Sequence, residues 1–302
     1  SIAALSTEQV QGLTKSQITG LSAANLQALT TDQVAQLNTT QVSGLNIKQL
    51  ASLSTDQVNA LSTEVVQGLT ANAINGLTTT QVAALSTSQV EALTSTQVTG
   101  IATKTIAAFS TDQLNALGTT QVGALTKQLV AALTTGQVAG LSTTSLQYLT
   151  DSNIAALSNN QVKALSTEQV AALTTDQVKA IETADIAVLS SAQVAALGTS
   201  QVEVITTAQL RALSTTGLSG LTTDQVQTLS STQLNNLLPA SVAALSTTQV
   251  AALTTTQFNS VSASVVNALT TTQVAAIGTS TVQGLSTDVI QTLTSTQVGS
   301  FT

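Results

Sequence analysis

The sequence predicts an all-α solenoid built from tandem eight-residue units, and three observations lead to that fold. An octapeptide repeats thirty-seven times from Leu5 to Ser300 without an insertion or deletion. Its second residue is nearly always of a type that caps a helix, and Gln usually follows three residues later. Its two large aliphatic residues stand three apart across the boundary between units, which puts them on one helix face. A fixed short period means that the units stack on their neighbours.

We number the octapeptide from its large aliphatic residue at position one, so that Ser or Thr follows at two, Gln at five, Val at six and Ala or Gly at eight. Leu165–Ala172 and Leu173–Ala180 both follow this pattern. In a capping box, the residues at positions two and five each accept a hydrogen bond from the other's backbone N–H. The capping boxes predicted here are Ser166 with Gln169 and Thr174 with Gln177. The predicted core residues are Leu165, Val170, Leu173 and Val178.

The other positions fit a helix that runs from position three to the next position one. Pro239, the only proline, stands at position three, the first helical residue, where a missing N–H is tolerated. Most acidic residues stand at position four, where the helix dipole favours negative charge. Position seven is polar or charged in many units and is predicted to face water. The small residue at position eight predicts either a left-handed helix end or a close approach of two backbones.

Two other folds compete with the short-helix solenoid. A single long helix turns by about 800° over eight residues, so its Leu residues would not form one seam. A β-solenoid is the remaining alternative, although positions one and six have opposite parity along a strand. The Gln residues at position five could form a hydrogen-bonded spine along the array, or they could serve the caps alone.

Exceptions to Gln at position five suggest a longer period. One set recurs at every fifth octapeptide, with the Gln kept only at Gln225, and consists of Asn25, Val65, Thr105, Ser145, Asp185 and Val265. Every fifth unit could therefore return to an equivalent place on the superhelix. The other interpretation is gene duplication or chance, because exceptions such as Leu129 and Val289 do not follow this spacing.

The composition limits the possible functions. Among the 302 residues, 7% are charged and 1% are aromatic, and the formal net charge is −7. With only seven Lys and Arg, the chain lacks the clustered cations that bind nucleic acid or an anionic membrane surface. No run approaches the roughly eighteen apolar residues of a membrane span. The unbroken register predicts one continuous array over residues 1–302, cut from a longer protein.

The sequence predicts no catalytic, metal or cofactor site. Ser-His-Asp and Cys-His catalysis need His or Cys, and zinc and haem sites draw mainly on His, Cys and Met, all of which the chain lacks. Phe109, Phe258 and Phe301 replace aliphatic residues and are predicted for the core. Tyr148 replaces the small residue at position eight and is either a surface contact or a locally accommodated substitution.

Leu245–Leu253 and Leu269–Ile277 are close to Leu-Thr-Thr-x-Gln-Val-Ala-Ala followed by a further aliphatic residue. At this level the whole chain resembles the octapeptide arrays of very large exported adhesin-type surface proteins of Gram-negative bacteria. The resemblance implies an extracellular, cell-surface location.

We therefore expect a structural segment of an extracellular bacterial surface protein, acting as a rigid stalk or as a self-assembling part of a filament or sheath. The alternative is an adhesive module that recognises glycans or protein through its repetitive polar face, with avidity from many weak contacts. Neighbouring copies of the array are the expected partners and glycans the second candidate. Nucleic acid binding, membrane insertion by this segment and enzymatic activity are not expected.

Overall fold

Each octapeptide begins a helix where the sequence predicts one. The structure, a computed structural model, describes residues 2–301 and has an α-helix in each of the thirty-seven octapeptides. The helices contain four to six residues, as in Asp151–Ile154 and Thr167–Ala172. None of the described residues lies in a β-strand. The all-α prediction is confirmed and the β-solenoid alternative is wrong; the predicted array also includes Ser1 and Thr302, which lie outside the described residues.

The described residues divide into two compact units between Ala156 and Leu157, while the octapeptide register continues through this point in the sequence. In the first unit a 3-10 helix, Ile2–Ala4, precedes the α-helices. These are α1 (Thr7–Gln11), α2 (Lys15–Thr19), α3 (Ala23–Gln27), α4 (Thr31–Ala35), α5 (Thr39–Val42), α6 (Ile47–Ser52), α7 (Thr55–Ala60), α8 (Thr63–Gly68), α9 (Ala71–Asn75), α10 (Thr79–Ala84), α11 (Thr87–Glu91), α12 (Ser95–Thr99), α13 (Thr103–Ile106), α14 (Thr111–Asn115), α15 (Thr119–Gly123), α16 (Lys127–Ala131), α17 (Thr135–Ala139), α18 (Thr143–Tyr148) and α19 (Asp151–Ile154).

The second unit contains the remaining helices. These are α20 (Asn159–Ala164), α21 (Thr167–Ala172), α22 (Thr175–Ala180), α23 (Thr183–Ile186), α24 (Ser191–Ala196), α25 (Thr199–Val204), α26 (Thr207–Ala212), α27 (Thr215–Leu218), α28 (Thr223–Thr228), α29 (Ser231–Asn235), α30 (Pro239–Ala243), α31 (Thr247–Ala251), α32 (Thr255–Ser260), α33 (Ala263–Ala268), α34 (Thr271–Ala275), α35 (Thr279–Gln283), α36 (Thr287–Thr292) and α37 (Ser295–Val298).

Extended residues at positions one and two redirect the chain after each helix. At Leu165, φ is −61° and ψ is 134°, and at Ser166 they are −72° and 162°. Within each unit, a helix then packs on the helix three places further along, as α4 does on α7 and α21 does on α24. One turn of the solenoid therefore takes three octapeptides. The interpretation that every fifth octapeptide occupies an equivalent place is wrong, because equivalence returns with every third.

The core is formed by positions one and six, which point inward along most of the chain, although Ile290 and Val298 at position six of the last two octapeptides are exposed. Leu165, Val170, Leu173 and Val178 are all buried. Phe109 and Phe258 are buried as well, while Phe301 is half-buried. Most Gln side chains at position five are also buried. A polar residue enters a core only with hydrogen-bond partners, so the partners of these Gln residues decide how the turns are joined.

Small residues at position eight let successive turns approach closely. No described residue has a positive φ, so the left-handed helix end considered for this position does not occur. Instead, a Cβ atom built on Gly100 would lie 2.5 Å from the Cβ of Ala71, in the preceding turn. A Cβ on Gly220 would meet the carbonyl oxygen of Ser191 in the same way.

Candidate functional site

The residues predicted to form capping boxes lie at the starts of α21 and α22. The Gln169 N–H donates to Ser166 Oγ at 3.1 Å, and the Ser166 N–H donates to Gln169 Oε1 at 2.9 Å. Thr174 and Gln177 make the same pair of bonds at 3.1 and 3.0 Å. Each box gives partners to two N–H groups at a helix start, where the helix itself offers no acceptor.

The Gln side chain has a second task beyond the cap. Gln41 Oε1 accepts from the Asn38 N–H of its own octapeptide. Its Nε2 donates to the carbonyl oxygens of Val10 at 3.0 Å and Leu13 at 2.7 Å, both in the preceding turn. The same amide thus holds the start of one helix and the end of the helix beneath it.

We call these Nε2 bonds to the preceding turn the glutamine spine. In the first unit it includes Gln33, Gln41, Gln49, Gln57, Gln81, Gln89, Gln97, Gln113, Gln121 and Gln137. In the second unit it includes Gln193, Gln201, Gln209, Gln225, Gln233, Gln249, Gln257, Gln273 and Gln297. Among the described residues, no buried side-chain nitrogen or oxygen lacks a hydrogen-bond partner. The two roles proposed for position five, spine and cap, are therefore filled by one side chain.

Asn153 shows that a shorter amide can do the same work. Its Oδ1 accepts from the Thr150 N–H at 3.0 Å, and its Nδ2 donates to the Leu125 carbonyl oxygen at 2.9 Å. The acceptor lies 28 residues back, as it does for the Gln residues of the spine. Either amide side chain, Gln or Asn, can therefore supply the acceptor and the donor at position five.

Where position five carries no amide, an Asn from the preceding turn can take its place. Asn75, at position seven, accepts from the Ala102 N–H at 2.7 Å and donates to the Gly100 carbonyl oxygen at 2.9 Å. Ala102 begins the helix whose position five is Thr105. The Asn side chain thus supplies the acceptor that Gln supplies elsewhere.

We call this arrangement an asparagine staple, and it recurs at a fixed spacing. Its members are Asn75, Asn115, Asn235 and Asn259, which accept from the N–H groups of Ala102, Ser142, Ser262 and Ser286. The four helices that these Asn residues cap carry no amide at position five. The residues there are, in the same order, Thr105, Ser145, Val265 and Val289. Position seven is predicted to face water, and Asn235 and Asn259 are exposed while Asn75 and Asn115 are half-buried; all four also bond to a neighbouring turn. The signal that sequence reasoning missed is an Asn at position seven of the fourth octapeptide before one that lacks Gln.

Asp185 replaces the spine amide with a carboxyl group. Its side chain is only 4% exposed. Burial raises the pKa of this carboxyl group, and the negative charge of nearby Glu182 raises it further. The Glu182 side chain makes no cap hydrogen bond to this helix. An ionised carboxylate at this position has no proton to donate to the preceding turn.

The other charged groups of the described residues are scattered and form neither a metal-binding cluster nor a buried ion pair. In the described part of the chain, no three His, Cys, Asp or Glu residues lie close enough to hold a metal ion together. Lys179 and Asp176 form an exposed ion pair at 3.5 Å, of a kind that adds little stability. Over residues 2–301, no helix is long and apolar enough to cross a membrane.

Tyr148 is the one aromatic side chain on the surface of the described residues. It is 50% exposed at the end of α18. It borders a shallow groove of about 290 Å³ whose polar lining includes Asn115, Ser142 and Ser145. Its exposure agrees with a surface position.

Comparison with known families finds one match. The family model described as the ALTTAQ repeat matches five segments, which are residues 74–103, 97–127, 154–180, 178–210 and 202–238. These segments cover less than half of the chain and contain parts of both the glutamine spine and the asparagine staples. No curated protein matches the sequence. The chain is thus a repeat-containing protein whose central segments are similar to the ALTTAQ repeat.

Proposed function

We propose that this chain is a structural repeat segment that acts as a rigid stalk or as a self-assembling part of a filament or sheath, and that it catalyses no reaction. The glutamine spine is the observation that supports this role. It joins each turn to the one before through buried hydrogen bonds, and it does so throughout both units rather than at one place. In such an array each turn contacts only its neighbours, so length grows without a change in the contacts.

The position we propose for the chain is the outside of a bacterial cell. The support is its resemblance to octapeptide arrays of exported adhesin-type proteins. Proteolysis of intact cells that make the protein tests this location. Loss of the chain from intact cells would support it, and protection until the cells are opened would contradict it.

Mechanical unfolding of single full-length chains tests the stalk role. We expect resistance to extension, followed by lengthening in steps of about 80 Å or multiples of it, as turns of three octapeptides are released. A flexible linker would instead extend without a force threshold, and that result would contradict the proposal. Regular fibres in electron micrographs at neutral pH would favour the filament form over the single stalk.

The second candidate is a module that binds glycans or another protein. The groove beside exposed Tyr148 favours it, because an aromatic ring next to hydroxyl and amide groups offers a sugar both apolar and polar contacts. A glycan array probed with the full chain and with Tyr148→Ala tests it. Saturable binding that the substitution abolishes would favour the binding module over the stalk.

A further inference from the structure

One of the three helix stacks of the first unit carries five charged residues that are ordered by sign along the stack. This stack consists of α1, α4, α7, α10, α13 and α16, each packed on the next; we call it the charged stack. The stack that begins at α2 carries Lys15, Glu64, Glu91 and Asp112, and the stack that begins at α3 carries only Lys48.

The two signs of charge are separated along the charged stack. Glu8, Asp32 and Asp56 stand at position four of α1, α4 and α7, in three successive turns, and all are exposed. Position four of α10 is occupied by Thr80, which is uncharged. Lys104 and Lys127, also exposed, follow on α13 and α16 at positions four and three. Asp151 on α19, which packs on α16, lies beyond this set.

Like charges in successive turns repel one another. Packed helices lie about 8–10 Å apart, which is close to the distance over which 0.1 M salt screens a charge. Among the described residues, no ion pair relieves this repulsion within the charged stack. A surface with opposite charges in the reverse order would relieve it.

We propose that the charged stack binds the charged stack of a second copy of this chain in antiparallel orientation. With the two-fold axis between α7 and α10, Glu8 faces Lys127 of the second copy and Asp32 faces its Lys104. The symmetry repeats both pairs, and Asp56 faces uncharged Thr80. Parallel, in-register pairing would set like charges against each other, so the pattern selects the antiparallel arrangement.

We expect the contact between the two charged stacks to be weak. Exposed ion pairs contribute little each and are screened by salt, so association should appear mainly at low ionic strength. The inference rests on the proposed structural role, because side-by-side pairing is one way in which arrays form a sheath. It concerns one surface, however, and a stalk that stays single would remain a stalk without it.

Sedimentation equilibrium of the full chain at low and high salt tests the interface. We expect dimers at low salt that dissociate as salt is added. Lys104→Glu with Lys127→Glu should weaken self-association by about tenfold or more, because four attractive pairs become repulsive. The matched control is Lys15→Glu with Lys48→Glu, which makes the same change in net charge on the other two stacks and should retain the dimer.

Mixing two variants gives the most specific result. Glu8→Lys with Asp32→Lys should also lose self-association, because its stack then presents Lys against Lys. An equimolar mixture of this variant with Lys104→Glu/Lys127→Glu should form heterodimers, since all four pairs are again of opposite sign. Circular dichroism confirms that each variant is folded.

Three outcomes would overturn the inference. These are a wild-type chain that stays monomeric at low salt, equal loss of association in the control variant, and a mixture that fails to associate. If fibres form at neutral pH and survive Lys104→Glu/Lys127→Glu, the filament role stands while this interface is wrong. If the chain also extends without resistance under force, the proposed structural role itself fails.

Discussion

Asn153 and Asp185 occupy the same position of their octapeptides and have nearly the same shape, yet only Asn153 can serve both backbone groups beside it. Asn153 accepts from the N–H at its helix start and donates to the Leu125 carbonyl oxygen. Asp185, in the second unit, is similarly enclosed, but its ionised carboxylate has no proton to donate. The carbonyl oxygen at the equivalent place in the preceding turn belongs to Leu157.

The comparison explains why position five carries an amide in most octapeptides. The backbone around this position presents both an N–H that needs an acceptor and a carbonyl oxygen that needs a donor. A side-chain amide supplies both groups, whereas an ionised carboxylate supplies only an acceptor. The repeated Gln is therefore explained by the backbone of two successive turns, and not by the helix cap alone.

Asn153→Asp should have the largest effect among the substitutions that test this comparison. It exchanges the donor for a buried negative charge that faces the Leu125 carbonyl oxygen. We expect a loss of about 3 kcal/mol in the free energy of unfolding at neutral pH. Urea denaturation measures it. An unchanged unfolding midpoint would show that the amide at position five does not join the turns.

Asp185→Asn is the reverse exchange and should stabilise the protein. The new amide can donate to the Leu157 carbonyl oxygen and removes a buried charge that Glu182 repels. We expect a gain of about 1–2 kcal/mol. Hydrogen exchange of the α23 amides reports the change locally, with Asp176→Asn on exposed Asp176 as the control that should change little. Destabilisation by Asp185→Asn would mean that the carboxylate has a partner of its own.

The same carboxyl group predicts a dependence on pH. Its pKa is raised in the folded chain from the ordinary value of 3.8, so the folded state binds the proton more tightly than the unfolded state does. Stability should therefore fall as the pH rises from about the ordinary value through the raised one. Comparing unfolding of the wild type and Asp185→Asn across this range isolates the effect. Parallel curves for the two proteins would contradict it.

Much of this fold could be predicted from the residues of a single octapeptide. Ser166 and Gln169 are close in sequence, and their spacing alone predicts a capped helix start. The number of octapeptides in a turn could not be predicted in this way, because it depends on the angle at which extended residues such as Leu165 redirect the chain. The hydrogen bond between Asn75 and Ala102 could not be predicted for the same reason. The number of octapeptides in a turn decides which distant residues are neighbours.

Removing an asparagine staple should lower the free energy of unfolding by somewhat less than Asn153→Asp does. Asn75→Ala leaves the Ala102 N–H and the Gly100 carbonyl oxygen without this partner, and both groups lie near water. We expect a loss of about 1–2 kcal/mol. Asn59→Ala is the matched control, because Asn59 also stands at position seven but in the fourth octapeptide before an intact Gln, Gln89. Equal losses of stability in Asn75→Ala and Asn59→Ala would contradict the staple.

The smallest of these effects is expected at a single helix cap. Ser166→Ala removes the Oγ acceptor of the Gln169 N–H but leaves the Gln169 side chain in place. We expect a loss of about 1 kcal/mol, and similar losses at other octapeptides should add. Thermal unfolding of variants with several adjacent Ala substitutions measures the sum. Unchanged thermal stability would contradict the capping role of position two.

The turn of three octapeptides is the central claim, and spin labels test it most directly in this Cys-free chain. Labels on Ser88→Cys and Asp112→Cys stand on α11 and α14, which pack in successive turns. The helix axes should lie about 10 Å apart, so strong broadening of the electron paramagnetic resonance spectrum is expected. A pair five octapeptides apart, Ser88→Cys with Gln128→Cys, should show much less broadening. Absence of broadening in the first pair, as for a continuous helix in which these sites lie about 36 Å apart, would contradict the account.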